Sequence, residues 1–326
     1  MAQLQRQVVP LDLEWQLTRS MSPLRAAVFS RTILGREEVC TCIADDREET
    51  GQWRGLAQMR HRRHCPEYVI TYLAPALASR EGSHALWQRL LAHLYVQAGE
   101  WGGHRVYAGL PPDGEETQIF RHMGFTAYAQ EDVYEWQPSA SPSGQAVPLP
   151  LRRQQDRDSW GLQQLYAHVT PRAVQNAEGS AQTEWEISQE PWTVRTQRWG
   201  HVWDGPGEIA AAVQTRSGHR GHWLKMLLHP DAYKHADSLV AAALSKIEGP
   251  PDKKVFCAVR TYERGITAAL TAHGFRLLAS QTLVVKPCTV LARDALGQSV
   301  PSLNGQTEQA APTAIKLDAK GSKHNI

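Results

Sequence analysis

The 326-residue sequence has no run of about 18 apolar residues, the minimum for a membrane-spanning helix, so no such span is expected. It also has no excess of either charge. There are 35 basic and 33 acidic residues, a formal net charge of +2. That balance gives no pull towards nucleic acid or anionic membranes. Cysteine is scarce and odd in number: Cys40, Cys42, Cys65, Cys257 and Cys288. An odd, unpatterned set in a long chain reads as reduced thiols, and hence a cytoplasmic protein. The first residues, MAQLQRQVVPLDLEW, lack the apolar core of a secretory signal. Metal-ligand spacing is missing too. HRRHC (His61–Cys65) has three potential ligands but no companion cluster, so it reads as a solvated basic turn, and no metal is expected. Cys40 and Cys42, one residue apart, are too close for a zinc knuckle and read as strand residues.

What is present is ordinary globular composition, 42% hydrophobic and 21% charged, and a length that suggests two domains. Residues 138–150 are rich in Pro and Ser and read as a linker. Residues 297–326 have no apolar period and read as a disordered tail. The expected domains are therefore 1–137 and 151–296. Each repeats one order of elements. A helix comes first, on Leu24, Ala27 and Val28 or on Leu162, Leu165, Tyr166 and Val169. A hairpin follows, GLAQMR with EYVITYLAP or EIAAAVQTR with HWLKMLLHP, each ending at a proline, Pro75 or Pro230. A long helix carries Trp87, Leu90, Leu91, Leu94 and Tyr95, or Leu239, Val240, Ala243, Leu244 and Ile247. Next come a strand (RVYAGL or KVFCAV), a short helix closed by Gly-Phe at Gly124 or Gly274, and a last strand. The repeat is too long for a solenoid unit and reads as a duplicated domain.

This order resembles the GNAT acetyltransferase superfamily, through LLHPDAY…LVAAAL and VFCAV…ITAALTAHGF and their counterparts YLAPAL…LWQRLL and RVYAGL…IFRHMGF. The resemblance covers nearly all of 10–136 and 151–287. It implies an α/β fold of two tandem GNAT-like domains, each a mixed, mostly antiparallel twisted sheet flanked by helices. It further implies acetyl-CoA as co-substrate, lying between two splayed strands with its pyrophosphate on the first N–H groups of the long helix, where the helix dipole favours an anion. The matching positions are Arg80, Gly82, Ser83 and His84 in the first half, and Lys234, His235, Ala236 and Ser238 in the second. Strand-end N–H groups after Leu73 or Leu228 would polarise the thioester carbonyl. Both loops depart from the family's glycine-rich pattern; the second has no glycine.

The tyrosine that the family often uses as general acid is replaced by Phe120 and Leu270, and a common Asn by Asp113 and Glu263. Tyr262, beside Glu263, is the candidate substitute acid, set against a plain turn residue. Trp185, Trp192, Trp199 and Trp203 either wall an acceptor site or fill a core. The expected function is acyl-CoA-dependent N-acyltransfer, acetyl above all, to a small amine or peptide-like acceptor. The alternative is a catalytically degenerate tandem domain that binds a ligand or a protein.

Overall fold

The computed structural model describes residues 7–19, 39–48, 51–62, 65–79, 82–137, 147–179, 185, 197–247 and 253–288. The expected helix on Leu24–Val28, Arg80, Trp192 and the 297–326 tail lie outside these residues. In chain order the first half contributes β1 (Val9–Pro10), α1 (Leu13–Thr18), β2 (Val39–Glu48), β3 (Gly51–Arg62) and β4 (Glu67–Ala74). It continues with α2 (His84–Glu100), β5 (Arg105–Leu110), α3 (Glu115–His122) and β6 (Thr126–Trp136). The second half contributes β7 (Arg152–Arg153), α4 (Ser159–Val169), α5 (Arg172–Glu178), β8 (Gln197–Asp204) and β9 (Ile209–Ser217). After these come β10 (Gly221–Leu228), α6 (Ala236–Ser245), β11 (Lys254–Arg260), α7 (Thr267–Ala272) and β12 (Phe275–Pro287). Cys40 and Cys42 are strand residues of β2, and no disulfide joins any two cysteines.

Local chemistry accounts for the helices. Asp12 caps α1 by accepting the Trp15 N–H at 3.1 Å. α2 buries Leu86, Trp87, Leu90, Leu91, Leu94 and Ala98 along one stripe, and α6 buries Leu239, Val240, Ala242 and Ala243. Both Gly-Phe pairs end a short helix, with Gly124 at φ +84° and Gly274 at φ +88°. After α3 the Phe125 N–H donates to the Phe120 carbonyl at 2.9 Å, and the Phe120 and Phe125 rings meet at 4.9 Å. This is a Schellman turn with its hydrophobic contact, and only glycine enters the left-handed region at such a place without strain.

One sheet holds both halves, in the order β2-β3-β4-β5-β12-β6-β11-β10-β9-β8-β7, with β1 added to β4. Pairing is antiparallel except at β4–β5 and β10–β11. The last strands are exchanged. β12, from the second half, lies between β5 and β6; β6, from the first half, lies between β11 and β12. Each carries side chains across. Val284 of β12 joins the core of α2, β4 and β5, and Tyr134 of β6 joins the core of α6, β10 and β11. The Lys286 ammonium donates to the Met123 carbonyl at 2.6 Å and the Trp136 indole N–H to the His273 carbonyl at 2.9 Å, tying each exchanged strand to the other half's short helix.

Candidate active site

Parallel strands that stop pairing part-way open a gap in the sheet, and this happens twice. β4 and β5 pair only from Glu67–Arg105 to Val69–Tyr107. β10 and β11 pair only from Gly221–Lys254 to Lys225–Ala258. Beyond those points the two gaps differ.

The first is filled by the chain itself. β1 runs antiparallel to β4, Val9 opposite Leu73 and Pro10 opposite Tyr72. The Leu11 N–H donates to the Thr71 carbonyl at 2.9 Å, and the Leu11 carbonyl accepts the Gly109 N–H of β5 at 2.8 Å. Ala76 donates to the Gln7 carbonyl at 2.8 Å. Leu11 is fully buried. Backbone groups that would otherwise face an opening are satisfied by a third strand segment.

No described segment inserts between β10 and β11. The His229 N–H donates to the Ala210 carbonyl of β9 at 2.9 Å, so the N–H after Leu228 is committed and does not serve as a carbonyl-polarising donor. Antiparallel pairs alternate, which turns the peptide groups of Met226 and Leu228 towards the β11 side instead. A cavity of about 30 Å³ lies here, lined among others by Met226, Ala258, Arg260, Tyr262 and Glu263. It has room for about one or two water-sized groups.

Its polar wall is assembled from three distant parts of the chain. Arg260, at the end of β11, donates from Nε to Glu131 of β6 at 2.6 Å and lies 3.1 Å through Nη2 from Glu178 of α5. Glu178 also accepts the Tyr166 hydroxyl at 2.6 Å, and Glu131 accepts from Gln281 at 2.7 Å. Burial alone would lower the Arg260 pKa, but the two carboxylates hold it well above the ordinary value. Glu263 sits in the 3-10 turn Thr261–Ile266 and accepts the Arg260 backbone N–H at 3.0 Å. Desolvation lifts its carboxyl to about 7, with the Glu131 charge adding to the rise and Arg260 and Lys225 opposing it. Desolvation also pushes the Tyr262 hydroxyl far up, so it stays protonated near neutral pH. A carboxyl poised near 7 beside a protonated phenol is an acid–base pair in chemical terms.

The sequence-predicted positions do not converge on this cavity. Tyr262 lines it. Leu228 is buried at the gap's edge, and Leu73 is buried against β1. Gly82 is wedged against the carbonyls of Ala76 and Leu77, where any Cβ would collide. Ser83 precedes α2 without a side-chain cap, and His84 is exposed, 3.5 Å from Glu115. Lys234 is exposed, while His235 packs edge-on against Trp203 with ring centroids 5.0 Å apart. Ala236 is buried and its N–H is taken by the Tyr233 carbonyl; the Ser238 carbonyl accepts the Leu149 N–H at 3.2 Å. The 3-10 turn Pro230–His235 thus runs straight into α6. A Cβ on Gly265 would lie 2.7 Å from the Tyr233 ring, so that ring closes the junction between the two turns. Asp237, in the first turn of α6, adds a negative charge where a diphosphate would have to lie.

Trp185 is buried in a core cluster with Leu162, Leu165 and Tyr166 and also lines the cavity, and Trp203 packs on the second core. The sequence pattern gave no site role to Arg260, Glu131, Glu178 or Lys225, and marked Tyr166 only as part of a helix stripe. The available signal was a charged residue inside or ending an apolar strand, as in AQEDVYEW and VFCAVR. Among the described residues no group of three His, Cys, Asp or Glu is placed to hold a metal, and no helix is long and apolar enough to cross a membrane.

No family model and no curated protein matches the chain. Solved structures do. A tandem GNAT protein from the clavulanic acid biosynthesis pathway is 16% identical, with 86% of this chain and 98% of that one covered and a TM-score of 0.47. A GCN5-related N-acetyltransferase from Sphaerobacter thermophilus is 12% identical, covering 72% and 76%, at 0.41. A functionally unknown conserved protein from Staphylococcus epidermidis is 7% identical, covering 76% and 95%, at 0.48. The chain's own strand and helix order repeats in both halves, within one mixed, mostly antiparallel sheet flanked by helices.

Proposed function

We infer that the protein is an acyl-CoA-dependent N-acyltransferase that works through its second half, with a small amine or the amine of a peptide-like molecule as acceptor. One observation carries this reading. Only the β10–β11 gap is left without an inserted strand among the described residues, and Tyr262 and Glu263 line the cavity at its open end. Acetyl-CoA, as co-substrate, supplies the thioester. The amine nitrogen bonds to its carbonyl carbon and the carbon–sulfur bond breaks.

The chain's own residues have three tasks. The Leu228 N–H, past the last β10–β11 pair, faces the gap and orients the acyl carbonyl. Glu263 takes a proton from the ammonium form of the acceptor, freeing the nitrogen lone pair. Tyr262 relays a proton, passing its own to the departing thiolate as it takes one from the attacking nitrogen, so that no phenolate forms. Of the two protons the ammonium loses, one leaves through Glu263 and the other ends on the thiol. With no disulfide among five cysteines, we place this activity in the cytoplasm.

The Tyr233 ring over Gly265 and the charge of Asp237 favour a second reading, a binding module that has lost acyl-CoA. Thiol release from acetyl-CoA separates them. The full chain with a panel of small amines should release thiol in an amine-dependent manner, and Glu263→Gln should slow that release by about a hundredfold or more. Amine binding without thiol release supports the second reading.

A further inference from the structure

β1 and β7 hold the same place in the two halves, each a two-residue strand ahead of its half's first described α-helix, α1 or α4. They are seated differently. β7 lies at the sheet edge, antiparallel to β8, with Arg152 opposite Val202 and Arg153 opposite His201. β1 lies in the gap between β4 and β5 instead. The outer edge of β2, the counterpart of β8, carries no strand among the described residues.

The gap is an awkward seat for this segment. Pro10 has no N–H to give a neighbour and suits a sheet edge, yet here strands lie on both sides. The Gln7 side-chain oxygen is buried without a hydrogen-bond partner. The hold is small: a two-residue pairing, the backbone bonds of Gln7 and Leu11, and the buried Leu11 side chain.

The edge of β2 is within reach. Asp12 is fixed on Arg60 of β3 at 2.8 Å and caps α1, which Glu14 ties to Arg216 at 2.8 Å. From β3 the gap lies two strand spacings away past β4, and the second seat two spacings away past β2, about 10 Å either way. Residues 7–11 span about 16 Å when extended. Direction fits as well. β2 and β4 both run antiparallel to β3, so a segment antiparallel to β4 is antiparallel to β2 without being reversed.

We propose that residues 7–11 form a strap that pivots at Asp12 between two seats, the β4–β5 gap and the outer edge of β2, and so closes or opens the first gap. The structure shows the closed seat. In the other seat the Thr71 carbonyl and the Gly109 N–H lose their strap partners, and the strap no longer excludes an extended molecule from between β4 and β5. The strap is independent of the acyl-transfer reading.

The two halves supply the register for a test. Aligned at Pro75 and Pro230, Tyr72 matches Leu227, Gln58 matches Ala212 and Thr41 matches Val202. A strap seated as β7 is would therefore face Thr41 and Cys40. In the closed seat it lies three strand spacings from β2, about 14 Å, too far for a disulfide. The full chain carrying Val9→Cys or Pro10→Cys, treated with oxidised glutathione, should form an intrachain disulfide to Cys40 in at least one variant, located by peptide mapping and abolished by Cys40→Ser. No bond to Cys40 in either variant overturns the proposal. Hydrogen exchange of the unaltered chain is the second measurement. The Leu11, Ala76 and Gly109 amides, whose bonds exist only in the closed seat, should exchange together, about tenfold or more faster than the β3–β4 and β5–β12 ladder amides. Exchange of the three no faster than those ladders also overturns it.

Discussion

Glu263 has a consequence for stability as well as for chemistry. Its carboxyl sits at about 7 in the folded chain against an ordinary value of 4.5, so the folded state holds this proton more tightly than the unfolded state does. Stability from this group is greatest below about 4.5, falls as pH rises through the interval to about 7, and is level above it. Glu263→Gln should therefore flatten that part of the stability–pH curve, read by denaturant titration at several pH values. The same group gives the wild-type kcat/KM a limb that rises with pH and levels off above about 7. Glu14 behaves oppositely. Burial would raise its carboxyl, but Arg216, then Lys225 and Arg60, pull it to about 2, so its stabilisation is lost only as pH falls from about 4.5 towards 2. Gly82 makes a separate residue-scale case. Because a Cβ there would strike backbone carbonyls, Gly82→Ala should cost about 1–3 kcal/mol in denaturant titration. The sequence showed that a glycine stood at Gly82, and close backbone packing in this chain is what requires it.

Among elements, β1 does the most with the fewest residues. Two paired residues and Leu11 close the first gap by joining β4 to β5. Leu11→Ala removes a fully buried side chain from that seam and should destabilise the chain by about 2–5 kcal/mol, while leaving acetyl-CoA affinity unchanged. No pattern in the residues announces β1. A two-residue strand containing Pro10 has neither the length nor the alternation of a strand; its cause is the unpaired edge of a partner more than 60 residues away. The hairpins, long helices and Gly-Phe caps were legible because their causes are local: apolar period, punctuation, and a glycine at positive φ. The polar wall of the cavity was not. Glu131, Glu178 and Arg260 come from three separate elements, and nothing in the pattern of any one of them points to the other two.

For the whole molecule, the duplication could be read from the sequence but the strand exchange could not, since periodicity does not say which neighbour a strand chooses. With β12 between β5 and β6, and β6 between β11 and β12, a chain cut in the 138–150 segment leaves each half with an unpaired inner strand. Residues 1–137 or 151–326 expressed alone should aggregate or stay unfolded by circular dichroism and sedimentation, whereas co-expression should restore the folded whole. The same topology leaves the halves unequal: a closed first gap, and a second gap bordered by Tyr262 and Glu263.

The most direct test of that asymmetry is calorimetric titration of the full chain with acetyl-CoA, comparing wild type with Tyr233→Ala. One equivalent per chain is expected in both, with tighter binding in the variant because no ring must leave the junction with Gly265. Two equivalents, or no heat from either protein, would contradict it.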